Sequence, residues 1–495
     1  MSSRYDPRMR SEVLLLFLVF ASVPTIGQIP GTSEKKATVD AAGRTLDYFV
    51  WADTLRLVDR DEEHRAWVFH VSYRHLDPAS PAKRPVTFVF NGGPGSASLW
   101  LHLGGLGPRR VTLDDEGVAR SPGERLVENP LTWLPFTDLV FIDPVGTGFS
   151  RPAGKVEQKE FSGYTEDIES VGDFIAAWLS KHGRWSSPKY LCGESYGTMR
   201  SAGLSGYLQD RHHVFLNGIV LISTVLDYGT KRFAPGHDLP YALHLPSFCA
   251  TAWYHKKLPP ELQQRPVASV VKDAERFALG DYLVALAQGD RLSDAARTKT
   301  VESLARYTGL SKQFLRQADL RVNLSRFTKE LRRTDGVTVG RLDSRFTGQD
   351  RDNAGERYEF DPSMANIDGP FNACINHYLR KTLGYETTMV YESMSRRVRP
   401  WSNKGFENRY VSSADTLRRA MTKNPHLRVL VCSGYYDLAT PYFAADYTFS
   451  HMGLPRDRRA ALEVRYYEAG HMMYIRKESL KKLTADVAGW FAGAK

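Results

Sequence analysis

Cysteine is scarce in this chain. Among 495 residues there are four, Cys192, Cys249, Cys374 and Cys432, with no C-x-x-C pair. Redox and zinc-ribbon motifs, which need that spacing, are excluded. None of the 14 histidines begins H-x-x-E or H-E-x-x-H, so zinc-peptidase chemistry has no helix or turn to build on, and no metal or other cofactor is expected. No apolar run reaches the roughly 18 residues of a membrane-spanning helix. Internal repeats and low-complexity tracts are also missing. The formal net charge is +10, but zinc-finger spacing and the aromatic motifs of RNA-binding modules are absent. The excess of Lys and Arg is spread along the chain and reads as a solvated basic surface rather than a nucleic-acid footprint.

The first residues read as a secretory leader. Arg4, Arg8 and Arg10 precede the apolar stretch "VLLLFLVFASV" (Val13–Val23), followed by Pro24 and small residues up to Gly27. A basic segment, a short apolar segment and a small-residue cleavage site form that pattern. Residues 1–27 are assigned to it, and the chain is expected to be exported, periplasmic or extracellular, with no membrane span once the leader is cleaved.

Beyond the leader, the apolar periodicity alternates between strand and helix. "RTLDYFVWADTLRLVD" and "HRAWVFHVSYRHLD" alternate as an antiparallel pair. "PVTFVF" (Pro85–Phe90), "DLVFI" (Asp138–Ile142), "KYLC" (Lys189–Cys192), "NGIVLIST" (Asn217–Thr224), "LRVLVCSG" (Leu427–Gly434) and "LEVRYY" (Leu462–Tyr467) are short buried-strand runs. Helical stripes occur at Ile168, Val171, Phe174, Ile175 and Trp178, and at Leu480, Leu483, Val487 and Trp490. Such alternation predicts an α/β fold, a mostly parallel sheet with helices on both faces. Residues 239–401 break the pattern with long helical stretches and read as an insertion between a first sheet part, residues 28–238, and a second, residues 402–495.

One motif carries chemistry. Gly193-Glu194-Ser195-Tyr196-Gly197 is the chain's single G-x-S-x-G, placed after a strand and at the start of a helix. That turn is tight enough to require glycines, and it lifts the serine hydroxyl above the sheet. A serine nucleophile needs a base and an orienting acid, which follow it in the order acid, then His. Asp437 in "GYYDLATP" and His471 in "AGH" each follow a predicted strand, so both would sit at the carboxyl edge that carries Ser195. His471 would take the hydroxyl proton and Asp437 would fix its tautomer. "NGGPG" (Asn91–Gly95), another glycine loop after a strand, reads as a source of oxyanion N–H donors, together with the Tyr196 N–H.

Taken together, "NGGPGSAS", "NPLTW", "FIDPVGTGFS", "GESYG", "GYYDLATP" and "AGHMMY" resemble the serine carboxypeptidases, and they follow that family's order. The resemblance implies an α/β-hydrolase fold in which residues 239–401 form a largely helical cap. It implies catalysis by Ser195, Asp437 and His471, an oxyanion hole of Gly93 and Tyr196, and a grip on the substrate carboxylate by Asn91, Gly92 and Glu194. The substrates implied are peptides with a free C-terminus. An esterase or acyltransferase on the same triad is the alternative enzyme, and an inactive secreted binding protein the alternative outside catalysis. Two positions depart from the family. Ser96 stands where many members have a bridged cysteine. Gly105 stands where many have a glutamate paired with the one beside the nucleophile. His102, Arg109 and Arg200 are the cations near these motifs that could hold a carboxylate instead, and Cys249–Cys374 is the one cysteine pair considered for a bridge.

Overall fold

Runs such as Val86–Phe90, Asp138–Ile142 and Gly218–Ile222 are buried at every position, as parallel strands covered on both faces must be. The computed structural model describes residues 32–76, 83–121, 123 and 125–493; the proposed leader lies outside them. Nine principal strands form one sheet: β1 (Ser33–Ala41), β2 (Arg44–Val58), β3 (His64–His75), β4 (Val86–Phe90), β5 (Asp138–Ile142), β6 (Lys189–Glu194), β7 (Gly218–Ile222), β8 (Arg428–Gly434) and β9 (Leu462–Tyr467). Their spatial order is β1-β2-β3-β5-β4-β6-β7-β8-β9, with Arg151–Pro152 added beside β3. The first three strands and β5 pair antiparallel, and from β5 onward all pairs are parallel. Nine helices are named here: α1 (Tyr164–Lys181), α2 (Tyr196–Arg211), α3 (Leu239–Tyr254), α4 (Val267–Phe277), α5 (Asp294–Thr308), α6 (Pro362–His377), α7 (Ala414–Lys423), α8 (Tyr442–His451) and α9 (Lys477–Ala492). This is the α/β-hydrolase fold.

The strand period of two divides the core. Leu139 and Phe141 of β5 point into one apolar cluster, shared with Leu480, Leu483, Val487 and Trp490 of α9. Val140 and Ile142 point into the opposite one, shared with Ile168, Val171, Phe174, Ile175 and Trp178 of α1. Between β7 and β8 the chain leaves the sheet. Helices α3, α4 and α5 build a third cluster that also takes Tyr435, Leu438 and Tyr442. Helix α6 instead lays Ile367, Phe371 and Tyr378 just beyond it on the sheet's own core.

β1 had no strand signature in the sequence. "SEKKATVDA" is too charged for a buried run, but it occupies the sheet edge, where lysines are tolerated and block further pairing. It is turned onto β2 by Ala42 and Gly43, with φ of 50° and 75°, the left-handed pair that a two-residue hairpin needs. The polar stretch after Asp335 is held by the two-stranded pairing of Thr338–Val339 with Thr347–Gly348 and by the buried Lys329–Asp350 ion pair, 2.6 Å long.

All four cysteines are buried and none is in a disulfide. β7 lies between the strands of Cys192 and Cys432, and two strand spacings of roughly 9.5 Å exceed a bridge's reach. Cys249 and Cys374 belong to different apolar clusters. Unreduced protein, denatured and treated with iodoacetamide, should therefore gain four alkyl groups in its intact mass; a gain of two would reveal a bridge.

Candidate active site

The turn from β6 into α2 places Ser195 at φ 60° and ψ −126°, a conformation that side chains adopt only under constraint. The constraint is visible around it. A Cβ on Gly193 would come within 2.1 Å of the Gly197 carbonyl oxygen, and one on Gly197 within 2.9 Å of the Phe90 carbonyl oxygen. Ser195 N–H donates to Ile222 O at 3.0 Å, while Ser195 O accepts from Thr198 N–H at 2.9 Å and from Thr198 Oγ1 at 2.6 Å. The serine itself is only half-buried.

Beneath the turn lies an ion pair. Arg200 on α2 donates to both carboxylate oxygens of Asp167 on α1, at 2.8 and 3.0 Å, and to Asn91 O at 2.7 Å. Tyr196 Oη donates to the same Asp167 at 3.0 Å. Both charges are almost fully buried. Arg200 is thus committed to fixing the end of β4 against the start of α2.

Asp437 and His471 follow β8 and β9 and meet at 2.6 Å, Asp437 Oδ2 to His471 Nδ1. The second oxygen of Asp437 accepts from Ala439 N–H and Thr440 N–H at 2.8 and 2.9 Å, and Thr440 Oγ1 lies 2.6 Å from Oδ2. Burial alone would raise the Asp437 pKa, but the adjacent His471 and these hydrogen bonds outweigh it and hold the carboxyl below its ordinary value. His471 N–H donates to Leu342 O at 2.7 Å, and Ser223 Oγ donates to His471 O at 2.5 Å. Because Ser223 follows the Ile222 carbonyl that receives Ser195 N–H, the ends of β6, β7 and β9 are tied at one place. Asp437 fills Nδ1, so the free nitrogen of the imidazole is Nε2.

The glycine loop after β4 runs against this turn. A Cβ on Gly92 would sit 2.5 Å from Tyr196 N, and Gly93 has a φ of 101°. Among the described residues neither Gly93 N–H nor Tyr196 N–H is engaged in a hydrogen bond, and Tyr196 N–H is one of the donors left open at a helix start. Ser96, in place of the family's cysteine, accepts a hydrogen bond from Trp100 Nε1 at 3.0 Å. The Gly95 carbonyl beside it accepts from Ser395 N–H at 2.7 Å.

Glu194 is fully buried. Burial pushes its carboxyl up to about 7, against lowering by His471 and by hydrogen bonding from Tyr474. Tyr474 Oη donates to Glu194 Oε2 at 2.6 Å. Asn91 Nδ2, buried beside both, makes no hydrogen bond of ordinary geometry. Tyr474 was not singled out in the sequence, where it is one aromatic residue after "AGHMM". Its place explains Gly105. The Tyr474 ring lies 2.4 Å from where a Gly104 Cβ would be, and a Gly105 Cβ would stand 2.7 Å from Leu480 Cδ1 and 3.0 Å from Tyr474 Cβ. A glutamate at position 105 would need Leu480 and Tyr474 to shift, and here the Tyr474 phenol meets Glu194 instead.

The three cations considered from the sequence are engaged elsewhere. His102 is buried, stacked on Phe141 and 2.6 Å from Tyr73 Oη, and burial depresses it to about 3. Arg109 pairs with Glu128 at 3.7 Å, and Arg200 serves Asp167. Other cations reach the site's mouth. A cavity of about 740 Å³ borders Gly93 and Pro94 on one side and Leu438 and Ala439 on the other, and carries Lys231 and Arg341. These come from separate loops with no common spacing, so the sequence held no signal for them.

Comparison with known proteins agrees with the fold and with the resemblance to serine carboxypeptidases. The sequence profile described as "Serine carboxypeptidase" matches residues 56–232. Serine carboxypeptidase-like 13 of Arabidopsis thaliana is 29% identical over 37% of this chain and 40% of its own length. Serine carboxypeptidase-like 10 of the same plant is 31% identical over 29% of this chain and 33% of its own. The chain thus matches well under half the length of these curated relatives. A solved structure of Kex1(delta)p, a prohormone-processing carboxypeptidase from Saccharomyces cerevisiae, superposes over 93% of this chain and 92% of its own, with a TM-score of 0.53 at 15% identity; it shows the shared fold.

If the Ser195 hydroxyl is the attacking group, Ser195→Ala should lower kcat at least about 10⁴-fold. Its melting temperature should stay near wild type, because a half-exposed hydroxyl contributes little packing. Turnover within tenfold of wild type would remove Ser195 from the nucleophile's role.

Proposed function

We propose that this relative of the serine carboxypeptidases is an exported serine-type carboxypeptidase that removes C-terminal residues from peptides through an acyl-enzyme. The observation that carries the reading is the 2.6 Å Asp437–His471 contact tied to a serine held in a strained turn. Ser195 Oγ attacks the scissile carbonyl carbon as His471 Nε2 takes its proton. Asp437 keeps the other ring proton on Nδ1 and steadies the imidazolium. The carbonyl oxygen, now negative, is received by Gly93 N–H and Tyr196 N–H. His471 then gives its proton to the departing amine, and a water repeats the sequence to release the acyl group. Residues 1–27 act as the export signal.

Glu194, Asn91 and Gly92 would hold the substrate's terminal carboxylate. An ionised carboxylate only accepts hydrogen bonds, so Glu194 can serve this grip only while it carries a proton. Its burial supplies that condition below about 7. Tyr474 is a positioning residue here. By donating to Oε2 it reserves that oxygen as an acceptor and leaves the acid proton on Oε1, available to the substrate. Asn91 Nδ2 supplies a second donor whose partner arrives with the substrate. The same triad would serve an esterase or acyltransferase; what favours the peptidase reading is this buried acid beside the nucleophile.

The sign of the pH dependence follows. With its pKa raised to about 7, Glu194 is protonated in acid and loses its proton as pH rises through neutrality. For a blocked dipeptide with a free carboxylate, kcat/KM should fall above about pH 7. Its amide and ester, which need no grip, should stay active into mildly alkaline solution. Glu194→Gln, a permanent donor, should flatten the fall. Superimposable profiles for acid and amide would defeat the protonated-Glu194 grip, and cleavage of esters alone would favour the esterase.

Tyr474→Phe offers a second check. The phenol's hydrogen bond favours the ionised carboxylate, so its loss should move the alkaline limb for free-acid substrates to higher pH. A limb that stays in place, or moves down, would show that Tyr474 does not act through the Glu194 proton.

A further inference from the structure

The cavity at the mouth of the site is lined by Lys231, Arg232, Arg326, Arg341, Arg357 and Arg399 against one carboxylate, Glu356. The chain as a whole carries 66 basic and 56 acidic side chains, so six to one is not a sample of the average surface. The six are not a run in sequence. Lys231 and Arg232 follow β7, Arg326, Arg341 and Arg357 belong to the insertion, and Arg399 lies where the chain returns. Folding gathers them around Gly93, Pro94, Leu438 and Ala439, which flank the proposed oxyanion loop and Asp437.

Protein carboxylates answer only part of this charge. Arg326 meets Glu356 at 3.0 Å, and Arg341 stands 3.6 Å from Asp361. Asp361 also caps α6 and accepts from the N–H groups of Arg341 and Leu342. Among the described residues, Lys231, Arg232, Arg357 and Arg399 have no carboxylate within ion-pair distance. Arg232 stacks over Tyr228, 5.2 Å from the ring centroid. Lys231 is the most crowded: burial, Arg341 and Arg232 together bring its ammonium down to about 8, against a raising effect of Asp437. Cations of one sign around a concave, low-dielectric wall focus a field on whatever enters, and guanidinium forks match carboxylates in particular.

We infer that the cavity selects acidic peptides, with aspartate or glutamate side chains close to the scissile bond held by Lys231, Arg341 and the surrounding arginines. This rests on the peptidase reading for the position of the scissile bond, but the charge selection can be tested without turnover.

The test uses blocked pentapeptides of one length with Glu, Gln or Lys at the two positions on either side of the scissile bond. Their binding to full-length Ser195→Ala protein is measured by calorimetry, and their kcat/KM with wild type. The Glu peptides should bind at least about tenfold more tightly than the Gln peptides, and the Lys peptides most weakly. The advantage should shrink as salt rises, because exposed charge pairs are screened. Lys231→Ala with Arg341→Ala should reduce the Glu-to-Gln ratio to under threefold. If that pair fails to fold, Arg232→Gln with Arg399→Gln, on exposed side chains, should lower the same ratio. Equal binding of Glu and Gln peptides, or a preference for Lys, overturns the inference. Hydrolysis of Gln and Glu peptides at equal rates would leave the peptidase standing and remove the charge selection. Selective binding of Glu peptides with no hydrolysis of any would leave the anion site and remove the peptidase.

Discussion

Three glycines admit no side chain at the point where β4, β6 and α2 meet, and the site depends on that. A Cβ at Gly92, Gly193 or Gly197 would come within 3 Å of backbone atoms, namely Tyr196 N, the Gly197 carbonyl oxygen and the Phe90 carbonyl oxygen. Backbone cannot swing aside as a flexible side chain can, so substitution would push the glycine loop away from the helix start. The loop and the start of α2 lie in direct contact only because these positions are glycine. The buried Arg200–Asp167 pair holds the same junction from below. It makes a bidentate pair and also donates to Asn91 O, which satisfies charges that would otherwise be costly to bury.

His471 is fixed from a different direction. His471 lies in a loop whose neighbour, Gly470, donates to Asp343 Oδ2 at 3.1 Å, and Asp343 is itself paired with Arg345 at 2.7 Å in a buried contact. A Cβ on Gly470 would strike Asp343 at 2.4 Å. Leu342 O takes the His471 N–H. Residues far along the insertion therefore hold the backbone of Gly470 and His471, so the insertion both shapes the neighbouring cavity and positions the histidine that Asp437 meets.

Burial pushes both buried carboxyls of the site upward, and their partners decide the outcome. Asp437 and Glu194 are both buried, yet the first is held low by His471 and Thr440 while the second is pushed up to about 7. The difference lies in the partners: Asp437 has four close donors, whereas Glu194 has one phenol of good geometry. Two buried carboxyls close enough to interact are thereby shifted in opposite directions, one toward its charged form and the other toward its protonated form.

The sequence by itself determined the parallel strands, the glycine-flanked turn at Ser195 and the placing of Asp437 and His471 after strands, because each depends on local rules. Strands buried on both faces must be apolar at every position, a turn of this tightness must be flanked by glycine, and acid and base must follow strands to reach one edge. The edge strand β1 left little trace, since a solvated edge needs no apolar pattern. Three features belonged to tertiary structure alone. The role of Tyr474 depends on space left by Gly104 and Gly105, which are distant in sequence. The roles of His102 and Arg200 depend on what surrounds them: apolar packing for one, Asp167 for the other. The cationic cavity arises from segments that share no spacing and meet only when the insertion folds over the sheet. Local chemistry is written in neighbouring residues, whereas charge density and burial are properties of the volume that distant residues come to share.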